Sequence, residues 1–339
     1  MQLLFPLSLP PLASTATQLG SAPNADPRLA QVQVALKAAG LQRSRVHHRV
    51  PESLSLQNAL SHEVYLQNHF SLARPDIANV LMCQAARSNQ GVALDIRPES
   101  CTWLLKPVHL NLALDHLVLA ADAQGTAQLN NLADWLLLLR EALEPSWTLD
   151  TWISPRKETF LTLQTPLGTD WSPKSSTQAM GRSIDRYLPA GVNARAWRRF
   201  LNHTQMLLHE HPLNEQRELT GLARINGFWL EGEVKKVPQQ LFRASMNEFL
   251  EDHKNTGDSI TKKNDADTAV IIIDDWIAPT HQGDLDAWNA AWRRFAVFAR
   301  ALPKTSRTRW HFFGEAAQLS IESQARDAWR VWRVGPLIT

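Results

Sequence analysis

Cysteine is nearly absent from this chain of 339 residues, which has only Cys83 and Cys101. Two cysteines cannot build a disulfide framework or, by themselves, a zinc site. They read as reduced core thiols in a cytoplasmic protein. No glycine-rich phosphate loop of the Walker or dinucleotide type occurs, and no Gly-x-Ser-x-Gly. Those absences remove the usual nucleotide-binding cradles and the nucleophile elbow of serine hydrolases. Long apolar runs are missing too. The longest, 135–139 and 269–273, are core-sized, far below the ~18 residues a membrane span needs, so no membrane partner is expected. Neither charge dominates: 35 Lys and Arg stand against 33 Asp and Glu, for a net charge of +2. Residues 1–150 carry 10 basic and 12 acidic side chains, the remainder 25 and 21. A spread this even offers no polyanion-binding face, so nucleic acid is not an expected partner. The opening MQLLFPLSLPPLASTA has no basic residue before Arg28 and is broken by Pro6, Pro10 and Pro11. It reads as an edge strand rather than a cleaved leader.

What is present suits a folded core: 44% of residues are apolar and 20% charged. Asp26-Pro27 opens a helix carrying Leu29, Val32 and Leu36, stopped at Gly40. A small, polar loop over 13–27 precedes it. Further helices are expected over 55–70, 75–89, 132–143, 193–210, 284–300 and 314–330. Strands are expected over 103–108 and 112–121, as a pair, and over 160–163, 225–230, 269–273 and 310–313. The polar stretch 251–267 reads as a mobile loop. Strands separated by helices give an α/β class, a mixed sheet flanked by helices that allows two subdomains. The turn-rich segment 166–177 is the expected seam, dividing an N-terminal α/β region, 1–165, from a C-terminal one, 178–339. Thirteen tryptophans sit mostly at helical core spacing and read as packing residues.

Residues 181–232 are the densest in hydrogen-bonding chemistry. In the helix expected there, Trp197, Phe200, Leu201, Leu207 and Leu208 form an apolar face. Arg198, Asn202, Gln205 and His209 form the opposite stripe. His211-Pro212 ends it, because the residue before proline avoids the α region. Asn214 suits an Asx turn, and Arg217 opens a second helical stretch closed by Gly221. Asn226 precedes a strand that Gly232 lets exit tightly. Arg217 offers a planar fork for carboxylate or phosphate, and the two asparagines each offer a donor and an acceptor. His211, Asn214, Arg217 and Asn226 are therefore the candidate ligand-binding residues. Asp274-Asp275, at the end of the 269–273 strand, is a second candidate, for Mg²⁺, with a strand-end cap as the plainer reading. His209 and His211 lack a local third ligand and read as structural.

The pattern His-Pro-x-Asn-x-x-Arg, with Gly221, Asn226 and Gly232 following, resembles a segment of the archaeal-type cofactor-independent phosphoglycerate mutases. With Gln205-Met206-Leu207-Leu208 before it and Asn226-Gly227-Phe228-Trp229-Leu230 after it, the phrase is similar to the proteobacterial RpfE-type regulatory proteins. The resemblance to the mutases implies two divalent metals held by Asp and His, with a Ser or Thr carrying the phosphoryl group. This chain has no N-terminal strand ending in Asp-Gly and no Asp-His-Gly or Asp-His-Ser. Its Asp-His pairs, Asp115-His116 and Asp252-His253, fall in an apolar strand and a polar loop. The expectation is a non-catalytic regulatory or small-ligand-binding protein, with no metal and no cofactor, taking a small phosphorylated or carboxylated ligand. The rival readings are an active mutase-like phosphoryl-transfer enzyme and a structural protein whose tryptophan-rich helices meet a protein partner.

Overall fold

The computed structural model describes residues 1–9, 27–41, 44–49, 59–85, 94, 96, 98–113, 116–120, 129, 131–155, 157–191, 193–256, 269–302, 307–314, 318–324 and 327. Its strands are β1 (Gln2–Phe5), β2 (Arg45–Arg49), β3 (Ser100–Val108), β4 (Leu110–Ala113), β5 (His116–Leu119), β6 (Thr148–Ile153), β7 (Thr159–Pro166), β8 (Gly227–Glu233), β9 (Leu241–Ala244), β10 (Val270–Ile273), β11 (Thr308–Phe313) and β12 (Gln318–Ser323). Its helices are α1 (Pro27–Ala38), α2 (Ser61–His69), α3 (Pro75–Gln84), α4 (Leu132–Arg140), α5 (Ser176–Ala179), α6 (Ala194–Leu208), α7 (Pro212–Leu219), α8 (Met246–Thr256), α9 (Ile277–Gln282) and α10 (Leu285–Ala301).

The fold is α/β with a mixed sheet, as the alternation of elements implies. A six-stranded sheet runs β2-β12-β11-β1-β10-β9. Its β9, β10, β1 and β11 are parallel, and β12 is antiparallel to both β11 and β2. β10 reads VIII and β1 reads LLF after Gln2, apolar runs that suit strands buried on both faces. Leu3 and Ile271 face a core that includes Val32, Trp292 and Phe295, while Leu4 and Ile272 face one that includes Ile77 and Leu81. β1 is therefore an inner strand and not the expected edge: Pro6 follows its last residue and removes no ladder bond.

A four-stranded antiparallel sheet runs β6-β7-β3-β8. One face packs on Trp135, Trp197, Phe200 and Leu208 of α4 and α6, and the other meets Val80 of α3. α3 thus lies between the two sheets, with Asp76 through Met82 buried without a break. The expected boundary at 166–177 does not follow the sheets. The six-stranded sheet joins β1 and β2 to β9–β12, and the four-stranded sheet joins β3, β6 and β7 to β8.

Several local expectations are corrected. β3 pairs with β7 and β8, while β4 pairs antiparallel with β5. Residues 318–323 form β12 where a final helix was expected, their Leu319 and Ile321 alternating inward. The polar segment from 251 begins inside α8. Its residues 257–267, like the loop at 13–26 and the start of the helix expected from 55, lie outside the described residues. Every tryptophan in the described residues is buried, as packing residues should be, but only Trp135, Trp197, Trp288 and Trp292 lie on helices, and Trp103, Trp152, Trp229 and Trp310 lie on strands. None of the described helices is long and apolar enough to cross a membrane.

Candidate functional site

α6 presents Trp197, Phe200, Leu201 and Leu208 to the core, with Leu207 half-buried beside them. The helix ends at Leu208, and His211 becomes the N-cap of α7, its Nδ1 accepting from the Leu213 amide at 3.2 Å. Pro212 sits at the first helical position, where a missing N–H costs nothing. The second helix begins there, five residues earlier than the expectation at Arg217, because this cap supplies the start.

Asn214 and Arg217 bond the segment 221–226, which Asn226 ends, and the bonds of all three go to backbone. Asn214, fully buried, donates Nδ2 to Leu208 O at 2.9 Å and Ile225 O at 2.8 Å. Its Oδ1 accepts from Ile225 N at 2.8 Å. Arg217, also buried, donates Nε to Ala223 O at 2.9 Å. Asn226 receives Leu110 N at 2.7 Å and donates to Leu110 O at 2.8 Å, carrying the β8 edge across to β4. His211 stays on its own helix. Gly221, at φ +75, takes the left-handed turn after α7. Gly232 does something other than the expected exit. It lies within β8 where α3 comes closest, and a Cβ there would stand 2.6 Å from Asp76 O.

At the ends of the parallel strands the acidic pair is engaged. Arg243 Nε lies 3.0 Å from Asp274 Oδ2, both side chains largely buried, and Arg243 Nη1 donates to Met82 O at 3.1 Å. Asp275 accepts from the Met246 amide at 2.8 Å and from Arg294 at 3.4 Å. Burial raises the Asp275 carboxyl above its ordinary range, against the Met246 amide, which favours its charge. Among the described residues, no group of three His, Cys, Asp or Glu is arranged to hold a metal ion.

Two polar clusters were not singled out in the sequence. Between α3, α5 and β8, Glu231 accepts Asn79 Nδ2 at 2.8 Å, Ser176 N at 3.0 Å and the Ser176 hydroxyl. Asp76 accepts Arg74 Nε at 2.9 Å and Glu233 N at 3.3 Å. Glu63 of α2 completes this cluster, pushed up to about 7 by burial. Beside β1, the Tyr65 hydroxyl bonds Gln2 Oε1 and lies 3.2 Å from His311 Nε2, whose Nδ1 is 2.8 Å from Ser320 Oγ. Burial lowers His311 to about 4 and His62 to about 3, so both imidazoles are neutral. Neither cluster has a sequence motif: each is assembled from separate elements, and an isolated Glu or His carries no signal for that.

A groove of about 280 Å³ is lined by Trp147, Trp171, Asn193, Glu144 and Arg199 among others, and by none of the four candidate residues. An Arg199–Glu144 ion pair of 2.6 Å spans part of its wall.

No family model matches the chain, and no curated protein matches its sequence. Among solved structures it is similar to the cofactor-independent phosphoglycerate mutase from Thermoplasma acidophilum DSM 1728, at 14% identity and a TM-score of 0.35 over 95% of this chain and 89% of that one. It is likewise similar to the PH0037 protein from Pyrococcus horikoshii, at 11% identity and a TM-score of 0.43 over 95% of this chain and 87% of that one, and both are distant likenesses.

Proposed function

We propose that this chain is a non-catalytic regulatory protein that resembles the cofactor-independent phosphoglycerate mutases in the 181–232 segment. One observation carries the reading: the strand-end carboxylate Asp274 is already neutralised by Arg243, at 3.0 Å in a buried setting. A divalent cation at that position would have to displace a guanidinium held to Met82 O as well. Removing one partner of a buried pair is costly, because the other charge is left without compensation. The 181–232 motif supports the same reading. Asn214 and Arg217 spend hydrogen-bonding groups on Leu208, Ile225 and Ala223, so they serve the shape of the loop. A small phosphorylated or carboxylated ligand, if one is bound by this motif, meets the half-buried His211 side of it rather than buried Asn214.

The test pairs a binding and a turnover measurement on the purified chain. Titration calorimetry with 3-phosphoglycerate and a mutase assay supplied with Mn²⁺ or Mg²⁺ are run side by side. The reading expects no turnover under any metal condition. Interconversion of 3- and 2-phosphoglycerate would replace it with the enzymatic one.

A further inference from the structure

Glu63 is nine-tenths buried and more, and the hydrogen bonds around it are unevenly shared. Its Oε2 accepts one donor, the Leu60 amide at 2.9 Å, in the first turn of α2. Its Oε1 is buried and makes no hydrogen bond. The Ser175 hydroxyl accepts from the Gln178 amide at 3.2 Å, keeps its own proton to donate, and favours charge on Glu63.

The acidic neighbours of Glu63 are Glu231 and Asp76. From β8 comes Glu231, which accepts from the Ser176 amide, the Ser176 hydroxyl and Asn79 Nδ2. From α3 comes Asp76, raised above its ordinary range by burial, against Arg74 and the Glu233 amide, which favour its charge. Arg74, the cation of this region, gives its bonds to Asp76 at 2.9 Å and to Glu233 at 3.1 Å. From the α5 turn come the hydroxyls of Ser175 and Ser176. On α2 itself His62 is held neutral by burial. Glu231 and Asp76 oppose charge on Glu63, and the groups that favour it are the Ser175 hydroxyl and the Leu60 amide.

We propose that Glu63 is a proton-operated latch: protonated, it lets α2 close on the seam between the two sheets, and ionised, it loosens α2 and the α5 turn. α2 is well placed for this. Ser61 Oγ holds Gly314 O at the end of β11, Leu66 lies in the core beneath the six-stranded sheet, and Glu63 faces the side of α3 that meets β8. An additional negative charge in that seam is opposed by Glu231 and Asp76 together. The sign follows. Glu63 titrates at about 7 in the fold, against an ordinary value of 4.5. The stability it confers is fully present below 4.5 and is lost as pH rises through 7.

The experiment follows the Glu63 carboxyl carbon by NMR in the full chain, from acid to mildly alkaline pH, together with amide exchange of 61–69 and 176–179. The latch requires a midpoint near 7 and a fall in protection of both segments across it, beyond the intrinsic pH dependence of exchange. In Glu63→Gln the protection should be level with pH. A wild-type midpoint near 4.5, or a midpoint near 7 with unchanged protection, overturns the proposal. If Glu63→Gln does not fold, the wild-type titration and exchange decide alone.

Discussion

Asn214 and Ile225 face each other through two hydrogen bonds of 2.8 Å, the side-chain amide matching the backbone N–H and C=O as a neighbouring strand would. The same Nδ2 also bonds Leu208 O at the end of α6, which takes only a longer bond, 3.4 Å, from the His211 amide. Replacing Asn214 by Ala strands two buried backbone groups, the N–H and C=O of Ile225, and weakens the bonding of Leu208 O. A loss of at least about 2 kcal/mol is expected, since each buried group left without a partner costs about 1–3 kcal/mol. Urea unfolding measures it, and a loss below about 0.5 kcal/mol would mean the motif does not hold the loop.

Arg217 is expected to act in the same way. Arg217→Ala should lower the melting temperature clearly, and Arg217→Lys should not restore it, because an ammonium cannot reproduce the guanidinium's planar fork. A variant that melts like the parent but has lost binding of 3-phosphoglycerate would make Arg217 a ligand contact instead.

The Arg243–Asp274 pair separates a structural ion pair from a cation site. Arg243→Met leaves Asp274 buried and uncompensated and should cost about 3–5 kcal/mol. Arg243→Met with Asp274→Leu should recover most of that loss. Denaturation of the two single variants and the double variant gives the coupling, and additive losses would contradict a direct pair.

Stability should also fall in acid. Burial keeps His62 at about 3 and His311 at about 4, against 6.5 for a free imidazole. Both values are depressed, so the stability these residues confer is complete above 6.5 and is lost as pH falls toward 4 and then 3. Glu63 works in the opposite direction over part of this range, and the two histidines together outweigh it there. Urea melts across the range should give a shallower acid slope for His311→Gln than for the parent. Equal slopes would mean His311 is protonated in the fold.

The sequence displayed those parts of the fold whose periodicity is local. The helices around Trp197 and Trp292 and the strand at Ile271 are marked by spacing and apolar runs. β12 was read as helix because its alternation, with only Leu319 and Ile321 facing inward, is short and follows Gly314. The inner position of β1 is set by pairing with β10 and β11, over 260 residues away in sequence, which no local pattern encodes. At the candidate site, the residue types at 211–226 were legible, but their partners were not. Asn214 binding Ile225 and Asn226 binding Leu110 depend on where the chain returns. Glu63 and His311 look like ordinary polar residues of a helix and a strand until Glu231, Asp76 and Tyr65 are brought beside them.

The most direct test of the central claim is a mutase assay on the metal-stripped chain reloaded in turn with Mn²⁺, Mg²⁺ and Zn²⁺. With Asp274 committed to Arg243, the account predicts no conversion of 3-phosphoglycerate to 2-phosphoglycerate in any of the three. Metal-dependent conversion that disappears in Asp274→Asn would contradict it.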